Sequence, residues 1–183
     1  MIILIGGVSH TGKTLIAQKL LEKYKYPYLS IDHLKMGLYR ADINCGFTPL
    51  DNNEFIAEKL WGIIKGIILT AIENNQNLII EGSYLLPQKV NELVDYKNII
   101  SFYLGFSSAY IKKYFHSEIL RNRNIIESRD YENDFSLNEF ITENINQKEL
   151  CQKYNAKYFE IDNNYQSETD EILGWMDGFS AKD

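Results

Sequence analysis

The apolar run Met1 to Ile5 leads without a break into GGVSHTGKT, residues 6 to 14, and that junction constrains the fold more than any other stretch. Ile2, Ile3 and Ile5 are β-branched, and a run that is apolar at every position reads as a parallel strand covered on both faces. Gly6 and Gly7 stop it. From Lys13 the apolar spacing turns helical, with Leu15, Ile16, Leu20 and Tyr24 on one side, before Pro27. Between strand and helix the residues fit G-x-x-x-x-G-K-[ST] through Gly7, Gly12, Lys13 and Thr14. From average residue usage, a chance match somewhere in a chain of this length is on the order of 1%. Glycines at 7 and 12 permit positive φ and close approach, so consecutive backbone N–H groups can turn toward an anion. The following helix adds its N-terminal donors and dipole.

The remainder alternates in the same way. YLSID, 28 to 32, reads as a second strand that delivers Asp32 at its carboxyl end, followed by a helical HLKMGLYR. Residues 53 to 73 place Ile56, Leu60, Ile63, Ile64, Ile67 and Ala71 at helical spacing. LIIEG, 78 to 82, is a third strand ending in Glu81 and Gly82; NIISFYL, 98 to 104, a fourth; AKYFEI, 156 to 161, a fifth. Helices are expected over 107–122, 137–154 and about 168–179. Five strands alternating with helices imply an α/β fold, a three-layer α/β/α arrangement around a five-stranded parallel sheet with the first strand central. In such sheets ligands bind beyond the carboxyl ends of the strands, where Asp32, Glu81 and the glycine turn all fall. A chain of 183 residues fits one domain, 1–183.

A net charge of −6 disfavours a general nucleic-acid binder while leaving room for a small anion held locally. Cys45 and Cys151 lack metal-type spacing and read as free thiols in a reducing compartment. Met1 to Ile5 is too short for a signal-peptide core, and the most apolar later run, WGIIKGIIL, carries Lys65. The expectation is a cytoplasmic protein with no membrane partner.

In its glycine turn the sequence resembles the P-loop nucleotide-triphosphate-binding fold. The D-x-x-G and N-K-x-D patterns of the GTPase switches do not occur, and the order of elements is similar to the small-molecule kinase branch: adenylate, shikimate and gluconate kinases and the zeta-toxin relatives. The resemblance implies ATP with Mg²⁺ as cofactors. Gly7, Ser9, Thr11, Gly12 and Lys13 would cradle the phosphates, Lys13 would add charge at the terminal ones, and the Thr14 hydroxyl would face the metal. It also implies that Asp32 orients or deprotonates the acceptor hydroxyl; a helix N-cap is the plain alternative. Glu81, beside Gly82, matches the second acidic element of the fold, in metal or substrate service; a strand-end salt bridge is the plain alternative.

Of the four arginines, Arg121, Arg123 and Arg129 crowd into LRNRNIIESR, at the place of the relatives' lid, here a short one around 115–135. The resemblance gives Arg123 and Arg129 to the transferring phosphoryl group and Arg121 to the nucleotide; a solvated charged helix end is the alternative. Arg40, in the poorly periodic stretch 36–53, is a candidate contact for an anionic acceptor. Residues 162 to 165, DNNY, stand where relatives hold the nucleotide base. The expected activity is transfer of the γ-phosphoryl group of ATP to a hydroxyl or phosphate of a small metabolite, of nucleoside, nucleotide or sugar-acid type. An ATPase or nucleotide-gated regulatory module and a zeta-toxin-like nucleotide-sugar kinase are the other readings.

Overall fold

The computed structural model describes residues 1–42, 44–122 and 136–180. In chain order the elements are β1 (Ile2–Gly7), α1 (Lys13–Tyr24), β2 (Tyr28–Ser30), α2 (Ile31–Ala41), α3 (Asn53–Glu73), β3 (Leu78–Glu81), α4 (Pro87–Val90), β4 (Ile99–Phe106), α5 (Ser108–Tyr114), α6 (Leu137–Lys153), β5 (Lys157–Ile161) and α7 (Tyr165–Ser180). A short 3₁₀ turn, Asn91–Leu93, extends α4, and a π-helical turn, Phe115–Leu120, continues α5. The strands form one parallel sheet in the order β2-β3-β1-β4-β5, with β1 central as its uninterrupted apolar run implies.

Both faces of β1 are buried, and each meets its own layer. Ile2 and Leu4 pack with Ile80 against Ile31 of α2, the α3 residues Ile56, Leu60, Ile64 and Ile68, and Val90 of α4. In contact with α4, α6 continues that layer over β4 and β5. On the other face Ile3 and Ile5 pack with Ile79, Phe102 and Leu104 against Ile16, Ala17 and Leu20 of α1 and Ile172 and Met176 of α7. At roughly 1.5–3 kcal/mol for each large apolar side chain removed from water, these two layers supply most of the drive to fold. A third cluster, with Phe106, Ile111, Phe115, Ile119 and Phe140, joins α5 and the π-helical turn to α6. The first residues of the expected lid are therefore packed onto the body.

The structure revises several boundaries. The second strand ends at Ser30, two residues early, and Asp32 lies in the first turn of α2. Ser30 is the extended N-cap residue, so strand and helix join without a loop. Asp32 is accordingly not the helix cap. On α1 the buried face is Ile16, Ala17 and Leu20, with Leu15 only half-buried. On α3 the core takes Ala57, Trp61, Ile64 and Ile68, while Ile63 is 42% exposed. With isoleucines at 63, 64, 67 and 68, two apolar stripes compete, and the sheet selects one. The last helix begins at Tyr165.

Candidate functional site

Glycines shape the turn between β1 and α1. Gly7 pairs in register with Leu104 of β4 and has φ 128°, and a Cβ there would collide with the Leu104 backbone. Gly12 has φ 86° and precedes α1 as its N-cap residue, and a Cβ there would strike the Tyr165 hydroxyl. His10 adopts φ 62°, a left-handed backbone that a non-glycine residue seldom takes. Alternating backbone handedness of this kind makes a concave nest of N–H groups suited to an anion. Asn52, Ser107 and Ser136 cap α3, α5 and α6 with their side chains, whereas α1, like α2 and α4, has no side-chain cap. The first turn of α1 is thus left to be met by a ligand or by water.

Two side chains close the loop from within. The Thr11 hydroxyl donates to the Val8 carbonyl at 2.8 Å, and the Lys13 ammonium donates to the same oxygen at 2.7 Å. Thr11 is fully buried, so its hydroxyl holds the loop's shape and only its backbone is left to serve a ligand. Ser9 and Thr14 are half-buried, Thr14 in the first turn of α1. From outside, the Tyr165 hydroxyl donates to the Thr11 carbonyl at 3.4 Å, and burial pushes this phenol up to about 12, so it is a donor at neutral pH. The preceding loop is fixed by α7. Glu168 accepts from the backbone N–H groups of Asp162 (2.9 Å) and Asn163 (3.2 Å), and Asn164 accepts from Ser167 N (2.9 Å).

The second wall of the sheet edge is built from β3 and α2. Glu81 is 2% exposed and lies in register between Ile5 of β1 and Ser30 of β2. Gly82 follows against α2, where a Cβ would stand 2.9 Å from that of Ile31; the glycine permits this approach. Asp32 is joined by two residues that the sequence reading passes over. The Lys35 ammonium lies 3.1 Å from Asp32 Oδ1 and donates to the Tyr84 hydroxyl at 2.7 Å. Burial works against the charge on Lys35, but the Tyr84 hydrogen bond and the Asp32 charge outweigh it and hold the ammonium above lysine's ordinary value. The signal for Lys35 was its i, i+3 spacing from Asp32; for Tyr84 there was none.

The structure brings Gly7, Ser9, Thr11, Gly12, Lys13 and Thr14 together in one loop, and Asp32, Glu81 and Gly82 together at the β2–β3 end of the same edge. Arg40 is exposed in the last turn of α2, more than two turns from Asp32. Arg121 is exposed just after the π-helical turn. Arg123 and Arg129 lie outside the described residues. Among the described residues no group of three His, Cys, Asp or Glu side chains is placed to hold a metal. A half-buried hydroxyl such as that of Thr14 fits a Mg²⁺ that arrives with phosphate oxygens and keeps its waters. No helix among the described residues is long and apolar enough to cross a membrane.

Neither a protein-family model nor a curated protein matches the chain. Solved structures do. Shikimate kinase from Aquifex aeolicus superposes with a TM-score of 0.57 at 12% identity, over 98% of this chain and 98% of that one. Deoxyadenosine kinase from M. mycoides, with bound dATP, gives 0.53 at 16% identity over 97% and 100%. An uncharacterized protein from Eubacterium ventriosum gives 0.52 at 19% identity over 97% and 98%. The chain has the three-layer α/β/α, adenylate-kinase-like fold of the P-loop small-molecule kinases.

Proposed function

We propose that this chain, built on the fold of the P-loop small-molecule kinases, is itself a phosphotransferase that moves the γ-phosphoryl group of ATP to a small-molecule acceptor. The observation that carries the reading is the pairing, at one sheet edge, of a glycine loop closed by Lys13 with a carboxylate on the adjoining wall. Phosphoryl transfer asks little covalent help of a protein. Positioning and charge are sufficient. The loop amides and the first turn of α1 hold the phosphates, and Lys13 leaves the Val8 carbonyl for the terminal ones. Thr14 offers its hydroxyl to the Mg²⁺ that neutralises the phosphate oxygens. Asp32 aligns the acceptor hydroxyl and takes its proton as the acceptor oxygen bonds to the γ-phosphorus and the bond to the ADP oxygen breaks. Glu81, Gly82 and Arg40 belong to the acceptor side in this reading, while Arg121 serves the nucleotide and Arg123 and Arg129 serve the transferring group as cations.

The test is ADP release from Mg-ATP, with water alone and with a panel of nucleosides, nucleoside monophosphates, sugar acids and hydroxy acids that includes deoxyadenosine and shikimate. Acceptor-dependent release, lost in Lys13→Ala, is the expected result. Acceptor-independent turnover makes the protein an ATPase, and Mg-ATP binding without turnover makes it a nucleotide-gated module.

A further inference from the structure

Lys35 is a buried cation on a helix whose other charged residues, Asp32 and Arg40, are half-buried and exposed, and its contacts come from two parts of the chain. Within α2 it meets Asp32 Oδ1 at 3.1 Å; across the wall it meets the Tyr84 hydroxyl at 2.7 Å, and the Tyr84 ring centroid lies 5.1 Å from its ammonium. Tyr84 stands in the segment directly after β3, 49 positions further along the chain, so the contact ties α2 to the end of β3. Depth is graded through the group: the Lys35 side chain is 7% exposed and that of Asp32 22%. The carboxylate is thus nearer the solvent side, and Lys35 and Tyr84 are both buried.

The Tyr84 hydrogen bond and the Asp32 charge offset the cost of burying the ammonium, yet packing there does not require a charge, since an apolar side chain of similar volume is often no less stable than a buried ion pair. What a buried, hydrogen-bonded cation does supply is direction. It fixes one carboxylate oxygen and, with it, the plane of the group. In a loose phosphoryl-transfer transition state, a carboxylate's orientation counts for more than its strength as a base.

We propose that Lys35 and Tyr84 form a positioning pair that holds the Asp32 carboxylate in the orientation required for transfer, so that Lys35 acts on the reaction through Asp32 without touching the acceptor. The inference rests on the kinase reading above. Lys35 and Tyr84 are positioning residues, and Asp32 is the one that meets the substrate.

A double-mutant cycle tests it: wild type, Asp32→Asn, Lys35→Met and the double variant, with Lys35→Arg and Tyr84→Phe alongside. Each is measured for Mg-ATP turnover with water and with the acceptor panel, and for melting temperature. Lys35→Met is expected to lower kcat about 30- to 100-fold with KM for Mg-ATP unchanged within about threefold, as misplacement of a reacting group does. In the Asp32→Asn background the same change is expected to cost less than about threefold, because the residue through which it acts is already disabled. Lys35→Arg should recover at least about a tenth of wild-type turnover, and Tyr84→Phe should lose about three- to tenfold. Equal losses in both backgrounds, or a loss confined to KM, overturn the inference and leave the kinase reading standing. If Lys35→Met does not fold, Tyr84→Phe and Lys35→Arg are carried through the same cycle, and additivity there has the same force. Absence of wild-type turnover with water and with every acceptor overturns both readings together.

Discussion

The glycine loop and the wall formed by α2 and the end of β3 lie at the same sheet edge and are built by opposite means. The loop is made of backbone. Its glycines at φ 128° and 86° set its path, and Thr11 and Lys13 fold back onto a carbonyl of the same loop, all within residues 7 to 14. The wall is made of side chains, with Lys35 reaching 49 positions to Tyr84 and Glu81 buried between two other strands. Backbone amides suit phosphate whatever is attached to it, whereas side chains can be exchanged to suit one acceptor. On the proposed reading the loop is the generic half of the site, and the wall is the half that carries specificity.

Asp32→Asn bears on that division most strongly. In the proposed role, turnover falls by about two to four orders of magnitude while Mg-ATP affinity, measured by calorimetry, stays within about threefold. Affinity falling in step with turnover would merge the two halves into one. Gly12→Val attacks the other half, since a left-handed φ and the Tyr165 hydroxyl both exclude a side chain there. The expected cost is about 1–3 kcal/mol of stability, together with loss of most Mg-ATP binding. Gly37 provides the contrast. It lies in α2 with nothing within 4 Å of a built Cβ, so Gly37→Ala is expected to raise stability by roughly 0.5–1 kcal/mol, read from a denaturant melt.

The smallest effect is expected at Tyr165→Phe. Its hydrogen bond to Thr11 is long, at 3.4 Å, and the ring remains packed near Phe106. Mg-ATP affinity should change by no more than about threefold, since so long a bond stands at the low end of the roughly 0.5–1.5 kcal/mol net that a neutral hydrogen bond is worth. A larger loss would mean that α7 helps to set the loop's shape, and the generic half would then extend beyond residues 7 to 14.

The contrast between the halves also explains what was legible in the sequence. Five strands, their alternation with helices and the central place of β1 follow from apolar runs and their periods, and the loop is contiguous, so its spacing is visible in one dimension. The strand-to-helix junction at Ser30 was hidden because Ile31 is β-branched and buried, as a strand residue would be, although it opens α2 and lies close against Gly82. The α3 stripe was ambiguous because isoleucines at 63, 64, 67 and 68 offer two faces. The start of α7 was obscured because Asn164 and Glu168 organise it through polar contacts that leave no apolar period. Lys35 looks like any solvent-facing helical lysine until Tyr84 is placed beside it, and that placement is a product of the sheet order.

The most direct test of the account is the melting temperature of the protein with and without Mg-ATP, in wild type and in Lys13→Ala. A ligand at about a hundredfold excess over its dissociation constant stabilises the folded state by roughly 2.7 kcal/mol, which for a domain of this size is roughly 5 to 10 °C. That shift is expected in the wild type, with most of it lost in Lys13→Ala; equal shifts in the two proteins, or none in the wild type, would contradict phosphate binding at the glycine loop.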